Sequence, residues 1–598
     1  MAARVTVMPC GVTRLQRSVD HCSTGRWSED IGKHGEEAVV RDTLDGHAVI
    51  DWLCLFSARI DSLAPLLDDL DALGGGDGDT GRNAQLTLHA ILERLNTRSA
   101  GEPGGSCPNA VSASRRAHAA RVTDVLAHYA HSAAMGHVGV IVANFVATMA
   151  RETVKPTIRP VDARHILTRF PQVIEDTMSH PHPDLLIMVN AAADAARHFP
   201  DPIESCAMLV GGASMEAQEA LIEVTDGWVN PGACVVALAI ASWHATYEEA
   251  THPVDVVVDM VTTLATSGTQ QAGRNHHHTF EPVAGEAFAV DFDVDFLADE
   301  HSEYVQTIAA LGVRYSMVGG EDVLGAVSWH FHVDTSAIAA VIPQGWVHGI
   351  LVRDTRSSDL IGKDELAVRE EESGVLYLSC PSWQRADTVR VIALVRHPAL
   401  AAEVASTGAH TILAPDASDA ATIAQIARRA PAGVSVILSG DEDAHTLATR
   451  VRTMLIGAAH DRENGEDSET PADALRPIVI DEPLSDIAVA TVARECAAIY
   501  VPSAGDASGM IAEQIARAAA DRARARVAVI TATDAEGLTS KVSQLAGYGL
   551  QRAAVIGPMA WRMAVVDTVA TALAQRGIDE VAVESIEGTR PHVVLVNR

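Results

Sequence analysis

The first sustained hydrophobic period in the chain is Val49, Leu53, Phe56, Ile60, Leu63, Leu67 and Leu70, in alternating steps of four and three. That spacing predicts an amphipathic helix with all seven on one face. Pro65 falls inside the run, where its missing N–H either kinks the helix or opens a second one. Residues 1–40 carry no such period and read as an N-terminal extension. Onward to residue 265, Ala-rich segments such as Arg115–Ala150, Asp184–His198 and Ala233–Tyr247 read as successive helices, so 41–265 is expected to be an all-α domain. Ser267–Thr279 has linker composition, and its His276, His277 and His278 lack a Cys or second His pair at ligand spacing. The linker is placed at 266–283.

Beyond it the period shortens to that of strands. Phe288–Val294, Arg314–Val318, Val327–Val333 and Gly349–Val352 read as strands, with helices expected at Glu300–Leu311 and Thr335–Ile342, giving a middle α/β domain at 284–385. From Val389 strands and helices alternate: Val389–Val395, Thr411–Ala414, Val434–Leu438, Ile478–Ile480, Ala498–Val501, Val527–Ile530 and Ala553–Ile556 are the expected strands. This alternation predicts a C-terminal α/β domain, 386–598, with parallel pairing, and Asp461–Pro471 as a surface loop. The expected fold class is therefore multidomain α and α/β.

Composition narrows the partners. The 598 residues carry 45 Lys plus Arg against 78 Asp plus Glu, a formal charge of -33. Such a surface repels an extended phosphate backbone and argues against nucleic acid. A local site of metal ions and backbone N–H groups can still hold an anionic nucleotide. Eight cysteines lie far apart with no Cys-x-x-Cys, and no signal-peptide core follows Met-Ala-Ala-Arg, so a cytoplasmic location is expected. The most apolar stretches, Val138–Ala150 and Ala233–Trp243, fall short of the roughly 20 residues a membrane span needs.

The segment LDALGGGDGDTGRN, residues 70–83, places Asp71, Asp77 and Asp79 around a glycine-rich turn. Hard carboxylate oxygens suit Mg²⁺ or Ca²⁺. Gly76, Gly78 and Gly81 match G-x-G-x-x-G, but a helical period and not a strand precedes them, which excludes a dinucleotide fingerprint. An EF-hand starting at Asp77 would need Gly and Glu where Arg82 and Leu88 stand. What remains is a turn entering a helix at Ala84–Leu95, with carboxylates on one side and helix N–H donors on the other. That combination suits metal-bridged phosphates, for which positioning and charge neutralisation are the main requirements of phosphoryl transfer. A merely acidic helix cap needs one Asp or Thr and leaves three carboxylates unexplained. No P-loop, G-x-S-x-G elbow or H-E-x-x-H competes with it.

The segment resembles the nucleotide-binding signature of the dihydroxyacetone kinase L-subunit family, in the version carried by the catalytic subunit of bacterial fatty acid kinase. Asp77, Gly78, Asp79, Thr80, Gly81 and Asn83 match that signature in register. MGHVGVIVANF, residues 135–145, resembles the family's Gly-Asn-Ser-Gly-Val-Ile phosphate loop, and GWVNPGACVVAL, residues 227–238, its Gly-Val-Val-Asp-Ala-Gly-Gly segment. LGVRYSMVGGEDVLGAVSWHFHVDT, residues 311–335, and EGTRPHVVLV, residues 587–596, resemble later family strands in the same order. The likeness spans most of the chain after about residue 45, and only the Asp-Gly-Asp-Thr-Gly-x-Asn element is highly specific.

The resemblance implies an L-subunit-like all-α helical barrel followed by two α/β domains, with ATP and Mg²⁺ as cofactors. Asp77 and Asp79 would be the catalytic metal ligands, with Asp71 as a third. Thr80, Gly81, Arg82 and Asn83, then Gly136, His137 and Gly139, then Asn230 and Gly232 would contact the nucleotide. The implied reaction phosphorylates a fatty acid carboxylate presented by a separate lipid-binding protein; phosphorylation of a hydroxyketone such as dihydroxyacetone is the alternative, and a homodimer is implied by analogy. Four places depart from the family pattern: His137-Val138 for Asn-Ser, Asn230 for Asp, Pro183-Asp184-Leu185 for Glu-Gly-Thr, and Gly74-Gly75-Gly76 for Pro-Val-Pro. These leave open a nucleotide-binding regulatory protein with weakened catalysis. His330 and His332 face one side of a strand, and with no Cys in Phe288–Phe296 to complete a zinc site they read as packed or solvated residues. The acidic loop Gly440–Asp443 reads as a polar helix cap.

Overall fold

The computed structural model describes residues 41–598 apart from 75, 101–117, 204, 226–227, 273–286, 322–326, 344, 356–388, 429, 431–432, 464–475, 500–506, 532–534, 548, 579, 589–590 and 598. The N-terminal extension, the His276–His278 triplet and most of the expected loop Asp461–Pro471 lie outside the described residues. The chain divides into two compact units, one holding most of its first run of helices and the other all of its strands together with Ala72–Gly78 and Thr177–His180.

The helical unit is built from α1 (Gly46–Leu73), α2 (Thr80–Ala100), α3 (Ala119–His131), α4 (Gly136–Glu152), α5 (Pro160–Thr177), α6 (Pro183–His198), α7 (Cys206–Val224), α8 (Pro231–Glu248) and α9 (His252–Ala272). Helix α1 is one element with Pro65 inside it. The expected single helix at Arg115–Ala150 is two, because the chain turns at Ser132–Met135 and Gly136 adopts φ +66°. The expected linker starts too early, since α9 continues through residue 272. Helix α8 is apolar on every side and buried over almost its whole length, which makes it the central element. Around it Trp52, Phe145, Phe170 and Trp243 interlock: Phe145 lies 5.9, 5.0 and 6.0 Å, centroid to centroid, from the rings of the other three. The indole Nε1 of Trp52 donates to the Ala239 carbonyl at 3.0 Å, so the buried polar atom is satisfied.

The second unit holds two sheets. The larger has the order β2-β3-β1-β4-β6-β5-β7-β8, formed by β1 (Phe288–Phe296), β2 (Arg314–Glu321), β3 (Val327–Thr335), β4 (Trp346–Asp354), β5 (Arg390–Val395), β6 (His410–Leu413), β7 (Val434–Ser439) and β8 (Arg476–Val479). The smaller has the order β11-β10-β12-β9, from β9 (Val527–Ile530), β10 (Leu550–Gly557), β11 (Val583–Glu587) and β12 (His592–Asn597). The expected boundary between residues 385 and 386 falls inside the eight-stranded sheet, because β4 pairs antiparallel with β6. Parallel pairing holds only where helices intervene, at β5–β6, β5–β7, β7–β8 and β10–β11; the other pairs are antiparallel. Residues 498 and 499 of the expected strand Ala498–Val501 are not in a strand, and Tyr500 and Val501 lie outside the described residues. The expected helix Thr335–Ile342 shrinks to one turn, Ile338–Val341.

Strand β1 shows how the pattern builds the sheet. Phe288, Val290, Phe292, Val294 and Phe296 alternate into the apolar core, while Asp291 and Asp293 take the other face. The register sets Asp291 opposite His332 and Asp293 opposite His330. Both histidines are thereby buried beside carboxylates, His332 Nδ1 at 2.7 Å from Asp291 and His330 Nδ1 at 2.8 Å from Asp293. Burial opposes the imidazolium of His332, but the carboxylates of Asp291 and Asp334 hold it, lifting its pKa to about 9. Asp291 is driven far below the usual carboxylate range: the charges of His332, Arg353 and His330 outweigh its burial.

Candidate functional site

The acidic turn joins α1 to α2. Helix α1 ends at Leu73, and Gly78 turns the chain at φ +72°, a backbone setting that disfavours a side chain. Helix α2 begins at Thr80, four residues before the sequence reading placed it, because Asp79 closes the first turn: the Asn83 N–H donates to the Asp79 carbonyl at 2.8 Å. Thr80, Gly81, Arg82 and Asn83 are therefore themselves the first turn of the helix, and of these the Asn83 N–H already bonds within the helix.

Asp71, Asp77 and Asp79 each offer an oxygen lying within 4.8 Å of the other two. Asp79 is buried, and Asp71 and Asp77 are half-buried. The turn is tied by its own side chains. The Asp79 N–H donates to Asp71 Oδ2 at 3.2 Å, and Asn83 Nδ2 donates to Asp79 Oδ1 at 2.6 Å. One turn earlier on α1, Asp68 Oδ1 accepts the Arg82 N–H at 3.0 Å. Burial lifts the Asp68 carboxyl to about 8 against the pull of Arg82, with Asp79 and Asp71 adding to the rise. Sequence reasoning missed Asp68; its spacing, three before Asp71 on one helical face, was the available signal. Arg82 Nη1 is buried with no hydrogen-bond partner among the described residues.

Close backbone approaches hold the neighbouring segments against this turn. A Cβ on Gly81 would lie 2.1 Å from the Ala64 carbonyl oxygen, so α2 can cross α1 there only with glycine. A Cβ on Gly136 would lie 2.3 Å from Asn83 Nδ2, and one on Gly139 2.5 Å from Thr87 Oγ1. Thr87 Oγ1 in turn accepts the Met135 N–H at 3.1 Å and donates to the Asn83 carbonyl at 2.8 Å. The first turns of α2 and α4 are thus brought together, with Gly136 beside Asn83 and half-buried His137 next to it. Asn230 caps α8, its Oδ1 accepting the Ala233 N–H at 2.8 Å. Gly232 lies beside Asn230 Oδ1 and Ile141 of α4. Two residues before the cap, Trp228 Nε1 donates at 2.6 Å to the carbonyl of Leu70, the residue before Asp71. The sequence reading did not single out Trp228.

Two departures from the family pattern point inward. Val138 and Leu185 are 4 % and 2 % exposed, so the positions where the resemblance expects Ser and Thr are core positions here.

No known family model matches the chain, and no curated protein matches it in sequence. No helix among the described residues is long and apolar enough to cross a membrane.

Proposed function

We propose that the helical unit is an L-subunit-like barrel and a Mg²⁺-dependent, ATP-using phosphotransferase site of the dihydroxyacetone kinase and fatty acid kinase type. The observation that carries this reading is the convergence of Asp71, Asp77 and Asp79 within 4.8 Å at the N-terminus of α2. An all-oxygen set of this kind fits a hard divalent cation. The unpartnered Arg82 Nη1 and the N–H groups of Thr80 and Gly81 supply donors of the sort a phosphate accepts.

In this reading Asp77 and Asp79 hold Mg²⁺, with Asp71 beside them, and the bound metal neutralises charge on the phosphate oxygens. Asp79 is kept in place by Asn83, and Asp71 by the Asp79 N–H. Thr80 to Asn83 bind phosphate from one helix end, and Gly136, His137 and Gly139 from the adjoining one. Asn230, its Oδ1 committed to the α8 cap, offers its Nδ2 end, and Gly232 keeps that approach uncluttered. The acceptor is a fatty acid carboxylate presented by a lipid-binding partner protein. Its oxygen forms the new bond to the γ-phosphorus, the bond to ADP breaks, and no proton needs removing from an ionised carboxylate. Asp77→Ala and Asp79→Ala should each lower acyl phosphate formation by about 10²-fold or more, the scale of several kcal/mol for a bound metal. Unchanged turnover in both variants would refute the assignment.

A second reading, a nucleotide-binding regulatory protein with weakened turnover, is favoured by Val138 and Leu185, whose burial removes two hydroxyl groups expected near phosphate. Both readings predict nucleotide binding, and only the first predicts γ-phosphate transfer.

A further inference from the structure

The second unit contains a crevice that does not depend on the acidic turn. In the larger sheet β5 lies between β6 and β7, and the chain runs from β5 outward to β6, then back across to β7 and on to β8. Connections therefore leave β5 and β7 in opposite directions. The space beyond their carboxyl ends is the topological switch point, the usual ligand position in open α/β sheets. A cavity of about 450 Å³ opens there, within the size range of small-molecule sites.

Its two walls differ in chemistry. Val529 of the smaller sheet, 50 % exposed, makes an apolar wall, while Ile556 and Val594 of the lining are packed into the core at 2 % and 0 % exposure. The facing wall carries Arg396 and His397 after β5, Asp441 and Asp443 after β7, and Asp486 after β8. Asp486 is buried, and its Oδ2 accepts the N–H groups of Arg396 and His397 at 2.8 and 3.0 Å and faces His397 Nδ1 at 2.5 Å. A Cβ on Gly440 would lie 1.8 Å from Asp486 Oδ1, so glycine there lets the carboxylate in. This arrangement commits His397 Nδ1, while Nε2 lies against Gly588, where a Cβ would come within 2.9 Å of it.

The features that would attract an anion are already taken. The Arg396 guanidinium gives Nε to Asp441 and Nη2 to Asp443, the latter at 3.1 Å. The helix after β7 is capped by Asp441 through the Ala444 N–H at 2.8 Å, and the helix after β8 by Ser485 through the Ala488 N–H at 3.3 Å. The helix after β5 opens with Pro398, which has no N–H to give. Arg524, which also lines the cavity, gives Nη1 to Asp521 at 3.1 Å and Nη2 to the Glu482 carbonyl at 2.6 Å, so what the polar wall offers in excess is carboxylate oxygens.

We infer that this crevice binds a small, uncharged or cationic molecule that donates hydrogen bonds from one end and lays an apolar body against Val529. Carboxylates and phosphates are excluded by the same walls. The test uses the full chain and two probes with one body and opposite heads, 2-phenylethylamine and 3-phenylpropionate, followed by ligand-observed NMR. The amine should bind saturably and at least tenfold more tightly than the carboxylate. Val529→Trp, which fills the cavity from an exposed strand position, should abolish amine binding, and Asp443→Asn should weaken it at least threefold. Asp79→Asn should leave it unchanged, which separates this site from the acidic turn. Equal or tighter binding of the carboxylate, no saturable amine binding, or amine binding that survives Val529→Trp would overturn the inference.

Discussion

Gly136 carries two constraints at once: a φ of +66° and a neighbour, Asn83 Nδ2, only 2.3 Å from where a Cβ would sit. Gly136→Ala should therefore cost more than the roughly 1–2 kcal/mol of left-handed backbone strain alone. It should also push Asn83 off Asp79 and weaken Mg²⁺-dependent nucleotide binding, read by calorimetry beside a urea melt. His332 makes a pH prediction. Its folded-state pKa is raised from 6.5 to about 9, so its contribution is fully present below pH 6.5 and is lost as pH rises through 9. Asp291, its depressed partner, contributes above its ordinary value of 3.8 and loses that only as pH falls toward its lowered one. The two shifts overlap in the His332–Asp291 contact, with Asp334 adding to the first and Arg353 to the second. Urea midpoints of the second unit should fall between pH 6.5 and 9.5, and His332→Gln should be less stable and flat over that range.

At the scale of elements, the helices and strands were legible where burial imposes a period. The α1 face and the alternation of β1 could be read directly, and the turn between Leu70 and Asn83 stood out through residue types that no ordinary cap requires. The break at Ser132–Met135 was not legible, because the Ala-rich segments on either side both favour helix and the interruption is set by the approach of Gly136 to Asn83. Nor was the early start of α2, which depends on Asp79 closing a turn over residues of poor helix propensity. Strand pairing was misjudged at β12, which runs antiparallel to both β10 and β9, since a helical alternation predicts parallel neighbours only for strands joined through those helices. Asp68 and Trp228 went unread because their roles depend on Arg82 and Leu70, which only the folded chain brings to them. The aromatic cluster around α8 is the element-scale test. Phe145, 2 % exposed and touching three other large rings, should cost about 3–5 kcal/mol when replaced by Ala. A midpoint shift of the helical unit well below that would mean the cavity collapses.

At the scale of the whole molecule, the chain divides into two compact units, and two of the three carboxylates of the acidic turn, Asp71 and Asp79, belong to the helical one. Scanning calorimetry with saturating Mg-ATP should raise the transition of the helical unit, by about 2.7 kcal/mol at a hundredfold excess over Kd. The formal charge of -33 fits a molecule whose only attraction for anions is local. Excess Mg²⁺ should then strengthen nucleotide binding by acting at the acidic turn, beyond general screening.

The account stands or falls on that turn. The most direct measurement is isothermal titration of the full chain with ATP, with and without Mg²⁺, for the wild type and for Asp77→Asn and Asp79→Asn. The predicted result is one Mg²⁺-dependent site whose affinity falls at least tenfold in each variant. ATP binding that is indifferent to Mg²⁺, or undiminished in both variants, would contradict it.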